Sequence, residues 1–196
     1  MRTMILDTSS PNLFISFVED GKEIFQKVLK TVNNHSELFL DNVKDGLDKL
    51  NLEVKDFDKI IVGIGPGSYT GLRVSLTVAK TFAWTLNIPL YTVNSLYILG
   101  SGYFNCDGKY AICNIAKKNH YYYQLLEVKD GVVSDTIEAR FSSIDEFNEL
   151  MKSYSNHKVI TFDDFKYDGV NICNLNNVIE VLDIHPLVPN YLRKDI

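Results

Sequence analysis

The sequence predicts an α/β protein in two lobes, and three observations predict it. The order strand, turn, strand, Asp-Gly, strand, helix, strand occurs twice along the 196 residues. In the first copy a glycine-rich segment joins a strand to a long amphipathic helix, the junction expected of a sheet with crossover helices. Hydrophobic residues make up 45% of the chain, enough for an extended core; a chain of this length buries roughly 70% of its unfolded surface. The reading divides the chain into residues 1–98, the first lobe, and 99–196, a second and smaller one.

The elements follow in order. Residues 3–7 read as a buried strand and Ser9-Ser10-Pro11-Asn12 as a turn. Leu13 to Val18 gives a second strand, closed by the hairpin signal Asp20-Gly21, and Glu23 to Leu29 a third. Asn34, with Glu37 three residues later, predicts a capped helix. Phe39, Leu40, Val43, Leu47 and Leu50 share one face of it, and Leu38 lies off that face. Asp58 to Ile64 is a strand leading into the segment Gly63 to Gly71. A helix from Leu72 to about Asn87 follows, stopped by Pro89. Leu90 to Val93 is a strand, and Ser95 caps a short helix.

The second copy runs from a strand at Lys109–Cys113 through a turn at Lys117-Lys118-Asn119 to a Tyr-rich strand, Tyr121–Val128. Asp130-Gly131 and a strand from Val132 to Ala139 come next. Ser143 and Glu146 form a second capping box, and Lys158–Phe162 is a strand ending at Asp163-Asp164. A late helix shrinks to roughly Asn177–Leu182. Identity between the copies is negligible, so the order of elements carries the duplication. An ordinary undivided α/β domain is the competing reading at this point.

Charge and cysteine usage narrow the function classes. Lys and Arg number 20 against 25 Asp and Glu, a net charge of −5. Neutralising phosphates needs clustered cations, so the chain does not read as a nucleic-acid binder by itself, and any RNA contact is shared with a more basic partner. Cys106, Cys113 and Cys173 have no metal or redox spacing, which fits a reducing compartment. The opening residues reach Asp7 after a short apolar run and do not read as a signal peptide. No apolar run has membrane-spanning length. The expected location is the cytoplasm, without membrane contact.

Two segments suit phosphate chemistry. Asp7-Thr8-Ser9-Ser10 places a carboxylate at a strand end before small hydroxyl residues, a pattern that can hold hydrated Mg²⁺ and face phosphate oxygens. A simple Asx-type turn explains the tetrapeptide equally well. Gly63 to Gly71 can bring backbone amides close to an anion at a helix N-terminus. It lacks the Gly-Lys-Ser/Thr ending of a Walker loop and the glycine offsets of a dinucleotide fingerprint. A close-packed βα turn is the alternative. His35, His120, His157 and His185 show no metal-ligand spacing, and no nucleophile–base order is present.

The string Gly63-Ile64-Gly65-Pro66-Gly67-Ser68-Tyr69-Thr70-Gly71-Leu72-Arg73-Val74, continuing to Ala79-Lys80, resembles the signature of the TsaB (YeaZ) family. So do Ile5-Leu6-Asp7-Thr8-Ser9, His35-Ser36-Glu37-Leu38, Asn94-Ser95-Leu96 and Pro189-Asn190-Tyr191-Leu192-Arg193, in the right order. The resemblance is dense over the first hundred residues and thin beyond. It implies an actin-like ATPase (ribonuclease H-like) fold in two lobes, with the second trimmed. It also implies a non-catalytic subunit that pairs with a larger TsaD-like paralogue for threonylcarbamoylation of the adenosine beside the anticodon of tRNA. A TsaE-like ATPase joins the assembly, a homodimer is a further form, and tRNA is met only through the complex. On this resemblance Asp7, Thr8, Ser9, Gly65, Gly67 and Ser68 are vestigial nucleotide or phosphate positions. Catalytic residues and metal ligands are expected to be absent, no cofactor is required, and ATP and Mg²⁺ belong to the complex. Two positions depart from the family pattern: Ile115 stands where an Asp is usual and Lys117 where an Arg is usual.

The long helix is apolar on two sides. At 100° per residue Leu72, Leu76, Ala79, Ala83 and Leu86 form one side, which should pack on the sheet, while Val74, Val78 and Phe82 form another. Together with Leu38, the second set is the expected helix-to-helix interface, with full burial inside the lobe as the competing reading. The alternative function, a small phosphotransferase or peptidase-like enzyme of the same fold, needs an adenosine loop or a metal set, and neither is assembled in the sequence.

Overall fold

A computed structural model describes residues 1–30, 35–117 and 119–192. The Asn34 cap, the side chains of residues 35–37, Lys118 and Arg193 lie outside the described residues. Strand β1 (Arg2–Asp7) pairs antiparallel with β2 (Asn12–Glu19), and β2 with β3 (Lys22–Lys30). Asp20 between β2 and β3 takes φ of 48°, as a primed hairpin turn demands. Helix α1 (His35–Leu50) crosses to β4 (Lys59–Gly63), which lies parallel to β1. Helix α2 (Tyr69–Leu86) crosses to β5 (Leu90–Val93), parallel to β4, and α3 (Ser95–Gly100) follows.

The second lobe repeats the plan. Strands β6 (Gly108–Ile115), β7 (His120–Lys129) and β8 (Val132–Ser143) form an antiparallel meander. Asp130 in its turn takes φ of 52°, the counterpart of Asp20. Helix α4 (Ile144–Ser153) carries the expected capping box, with Ser143 Oγ accepting from the Glu146 amide at 3.2 Å. It leads to β9 (Lys158–Ile160), parallel to β6. The order β8-β7-β6-β9 of the second sheet therefore matches β3-β2-β1-β4 of the first. The two-lobe duplicated fold and the trimmed second lobe are as the sequence predicted: among the described residues the second sheet has no equivalent of β5.

Period-two alternation explains the layers. Met4, Leu6, Ile60 and Val62 point to one face of the first sheet and pack under α1 and α2. Ile5 and Ile61 point to the other face, where α3 lies buried between the sheets with Tyr110, Ile112, Leu126 and Val128 of the second lobe. Beyond the second sheet, Phe147 of α4 closes a smaller cluster with Tyr123, Leu125 and Ile137. Helix α3 is thus the shared central layer, and all six of its residues are buried.

Three expectations are corrected. Leu40 is 49% exposed and Leu86 43% exposed, because each lies at the edge of its helix's apolar stripe, where the sheet does not reach. The late helix at Asn177–Leu182 is absent. Its place is taken by α5 (Gly169–Cys173) and a short strand β10 (Ile179–Glu180). Residues 179–192, read as second-lobe sequence, lie on the first lobe. Strand β10 adds to the free edge of β5, the Val181 amide donates to the Leu90 carbonyl, and Lys80 Nζ donates to the carbonyls of His185 and Leu187 at 3.0 and 2.9 Å. An unpaired sheet edge attracts such an addition.

Candidate functional site

Helix α2 begins at Tyr69, three residues before the sequence-predicted start, with Ser68 as its N-cap accepting from the Gly71 amide at 3.2 Å. The glycine-rich segment is therefore a five-residue loop, 64–68, followed by a helical turn. That loop lies directly against the β1–β2 turn, so the structure brings together Asp7, Thr8, Ser9, Gly65, Gly67 and Ser68, as the sequence reading grouped them.

The two loops bond to one another. Asp7 is 1% exposed. Its Oδ1 accepts from the Ser9 amide at 3.0 Å and Ser9 Oγ at 2.7 Å, and its Oδ2 accepts from Ser95 Oγ at 2.7 Å. Ser95 Oγ in turn accepts from the Gly65 amide at 2.9 Å. Thr8 Oγ1 donates to the Gly71 carbonyl at 2.5 Å and accepts from the Ser75 amide at 3.3 Å. The Ser68 amide donates to the Ser9 carbonyl at 2.7 Å, and Asn114 Nδ2 of the second lobe reaches the same carbonyl at 3.3 Å. A Cβ on Gly67 would lie 2.3 Å from the Ser9 carbonyl oxygen, and one on Gly63 would lie 1.9 Å from Asp7 Oδ2. The glycines therefore serve close packing of two chain segments, and the Ser9, Gly65 and Ser68 amides are engaged within the chain.

Ser95 and Asn114 were not singled out for this site by the sequence. Ser95 was read as the cap of α3, but the cap is Asn94, whose Oδ1 accepts from the Leu96 amide at 2.8 Å. No spacing rule links Asp7 to a residue 88 positions away. Ile115, in the place of the family Asp, ends β6 with 61% exposure and takes no part in the network. Of the histidines, His157 is buried. Among the described residues no group of three or more His, Cys, Asp or Glu could hold a metal ion, and no helix is long and apolar enough to cross a membrane.

Burial pushes the Asp7 carboxyl above its ordinary value, against the opposing hydrogen bonds from Ser95 and Ser9. An acid raised on folding holds its proton more tightly in the folded state. Its stabilising contribution is full below the unfolded value of about 4 and is lost as pH rises through the folded value. Asp7→Asn should remove that slope. In urea unfolding, the variant's stability relative to the parent should rise as pH climbs from about 4. A difference that stays flat with pH would show that Asp7 does not titrate between the two states.

The second feature is the outer side of α2. Val74, Val78 and Phe82, with Leu38 of α1, are half-buried and pack against the first-lobe core, so their own chain covers part of each. Beside Val74 and Val78 run Thr70, Thr77, Thr81 and Thr85, all exposed. Thr81 Oγ1 donates to the Thr77 carbonyl at 2.9 Å and Thr85 Oγ1 to the Thr81 carbonyl at 2.7 Å. These back-bonded hydroxyls leave methyl groups facing outward. Trp84 is 66% exposed nearby. The helix has two charges. Lys80 is tied to the C-terminal segment, and Arg73 lies over the Tyr69 ring and donates to Tyr191 Oη at 3.0 Å. This side of the helix is thus open and nearly uncharged.

Fold and site together define a class: a duplicated two-lobed α/β protein of the actin-like type whose β1–β2 turn and glycine-rich loop pack against one another. A family model described as "TsaD: tRNA N6-adenosine threonylcarbamoyltransferase" matches residues 29–179, and the chain belongs to that family. Its full-length similarity is to the TsaB (YeaZ) proteins. It is 28% identical to the tRNA threonylcarbamoyladenosine biosynthesis protein TsaB of Bacillus subtilis over 98% of this chain and 94% of that protein. It is 32% identical to a tRNA N6-adenosine threonylcarbamoyltransferase of Clostridioides difficile over 48% of this chain, but this covers only 32% of the transferase. Among solved structures, YeaZ from Pseudomonas aeruginosa superposes with a TM-score of 0.67 at 22% identity, covering 72% of this chain and 67% of that one. A second, described as having similarity to peptidase YeaZ from the same organism, gives 0.78 at 17% identity over 98% and 99%. These two speak for the fold.

Proposed function

We propose that the chain acts in threonylcarbamoyladenosine formation on tRNA as a non-catalytic subunit, pairing with a TsaD-like paralogue through α2 and the start of α1. The observation that carries this reading is the closed pair of loops. Asp7 and its neighbours bond within the chain, so the loops serve as a structural lock rather than a nucleotide cradle. The family model and the full-length similarity to TsaB support the pathway. The open, methyl-lined side of α2 supports the mode of action. A TsaE-like ATPase and a homodimer of this chain are finer parts of the same proposal. ATP, Mg²⁺ and tRNA would be met by the assembly, since the net charge of −5 gives this chain little hold on phosphates.

The test is reconstitution. The TsaD-like and TsaE-like proteins of the same cell, with ATP, an activated threonylcarbamoyl donor and tRNA, should form threonylcarbamoyladenosine only when this chain is added. The isolated chain should hydrolyse neither ATP nor peptides. Asp7→Asn, once shown to be folded, should support the reaction at close to the parent rate. If that variant joins the complex but the modification stops, the loops take part in the chemistry and the structural reading fails.

A further inference from the structure

The segment after β10 meets the open side of α2 at a cluster of rings. Residues 179–192 run along the first lobe as a strap. Strand β10 pairs with β5, Lys80 holds two carbonyls, Pro189 is buried, and the Asn190 amide donates to the Ile64 carbonyl at 2.7 Å. Held in this way, the strap delivers Tyr191 to the first turns of α2. The rings of Tyr191 and Tyr69 lie 5.0 Å apart. The guanidinium carbon of Arg73 lies 4.0 Å from the centre of the Tyr69 ring, and Arg73 Nε donates to Tyr191 Oη at 3.0 Å. Two segments that stand out in the sequence, around Arg73 and around Tyr191, thus fix the position of one side chain.

That bracing changes what Arg73 can do. An exposed arginine carries its charge on a flexible stem and loses rotamer freedom when it binds. Arg73 is exposed, yet a ring face and the bond at Nε set its plane beforehand. Preorganisation of this kind lowers the cost of binding. The two terminal Nη groups form the planar fork that matches a carboxylate. Among the described residues the interactions of Arg73 are with Tyr191 and Tyr69, and α2 has no Asp or Glu. The guanidinium stands at the side of a shallow groove of about 450 Å³, whose other lining includes Thr70, Val74, Thr77 and Val78. The complement of such a surface is a carboxylate set beside aliphatic side chains. An RNA phosphate would satisfy Arg73 but leave the valines and threonine methyls uncovered, and the net charge of −5 opposes it.

We propose that Arg73, braced by Tyr191, is the charged anchor of the α2 side and takes an Asp or Glu carboxylate of the TsaD-like partner, whose neighbouring aliphatic side chains fill the groove. Arg73 acts within the pairing through α2 proposed above, on which its role rests. Tyr191 is a positioning residue, and the strap that carries it is part of the docking surface.

Calorimetry of the two full-length proteins tests this. Arg73→Gln should weaken association about ten- to a hundredfold, the loss of a charged hydrogen-bonded pair, and leave the circular dichroism of the free chain unchanged. Tyr191→Phe keeps the ring and removes the acceptor. It should weaken association roughly fivefold in the parent and not at all in the Arg73→Gln background. A tyrosine with only a structural role would lower affinity equally in both. Alanine replacement of each exposed Asp and Glu of the partner should find one whose effect disappears when Arg73 is Gln. If the parent chain and its partner do not associate, the pairing falls and the role of Arg73 with it. If they associate and Arg73→Gln binds like the parent, the pairing stands and the anchor is overturned. The anchor is also overturned if no partner carboxylate couples to Arg73, if Arg73→Gln weakens only self-association of this chain, or if it lowers tRNA binding by the complex without weakening the pair.

Discussion

Replacing Thr81 with glutamate is expected to weaken association with the TsaD-like partner by at least a hundredfold while leaving the unfolding transition of the isolated chain in place. Thr81 is exposed at the centre of the open α2 side, and its hydroxyl is folded back on the Thr77 carbonyl. A carboxylate there meets water in the free chain. In a helix-to-helix contact it would be buried without a partner, at a cost of about 3–5 kcal/mol, and every 1.4 kcal/mol is a factor of ten in affinity. Val78→Glu should block association as well, but it should also lower stability, because Val78 is half-buried against the lobe's own core. Sedimentation velocity of the mixed proteins, with circular dichroism of each variant, separates the two effects. Thr81→Glu that associates like the parent would move the interface away from α2.

Gly63→Ala is expected to cost about 3 kcal/mol, the upper part of the range for forcing an atom into a packed interior, and to lower the melting temperature by roughly 6–12 °C for a chain of this size. The added methyl would sit 1.9 Å from Asp7 Oδ2 and 2.7 Å from Ser95 Oγ. The carboxylate would have to leave its three donors inside a buried site, so the strain couples two loops. Asp7→Ala on the same background removes the atom that clashes, and the losses should be clearly less than additive. Strictly additive losses would mean that the two loops are not locked through this contact.

The strands and helices of both lobes were legible because apolar residues alternate on β1 and β4 and recur at helical spacing on α2. The hairpins were legible because Asp-Gly turns have few other uses. Burial of Leu72, Leu76, Ala79 and Ala83 followed from the same periodicity. Residues 179–192 misled the reading, because a short edge strand and an extended tail leave little periodic signal. Leu40 and Leu86 misled it as well, because periodicity gives the direction of a side chain but not the width of the sheet beneath it.

The sequence by itself determined the family and the duplicated plan, since these rest on local patterns and on a dense motif around Gly63–Gly71. It left open whether those loops cradle an anion or pack against each other, and whether the outer side of α2 is core or surface. Only the tertiary structure decided that Ser9 and Ser95 donate to Asp7 and the Gly65 amide to Ser95, and that Thr77, Thr81 and Thr85 lie in the open. The physical reason is the same in each case. A hydrogen bond between residues 7 and 95, or a shift in strand register, depends on distances between segments far apart in the chain, and residue spacing along one segment does not encode them.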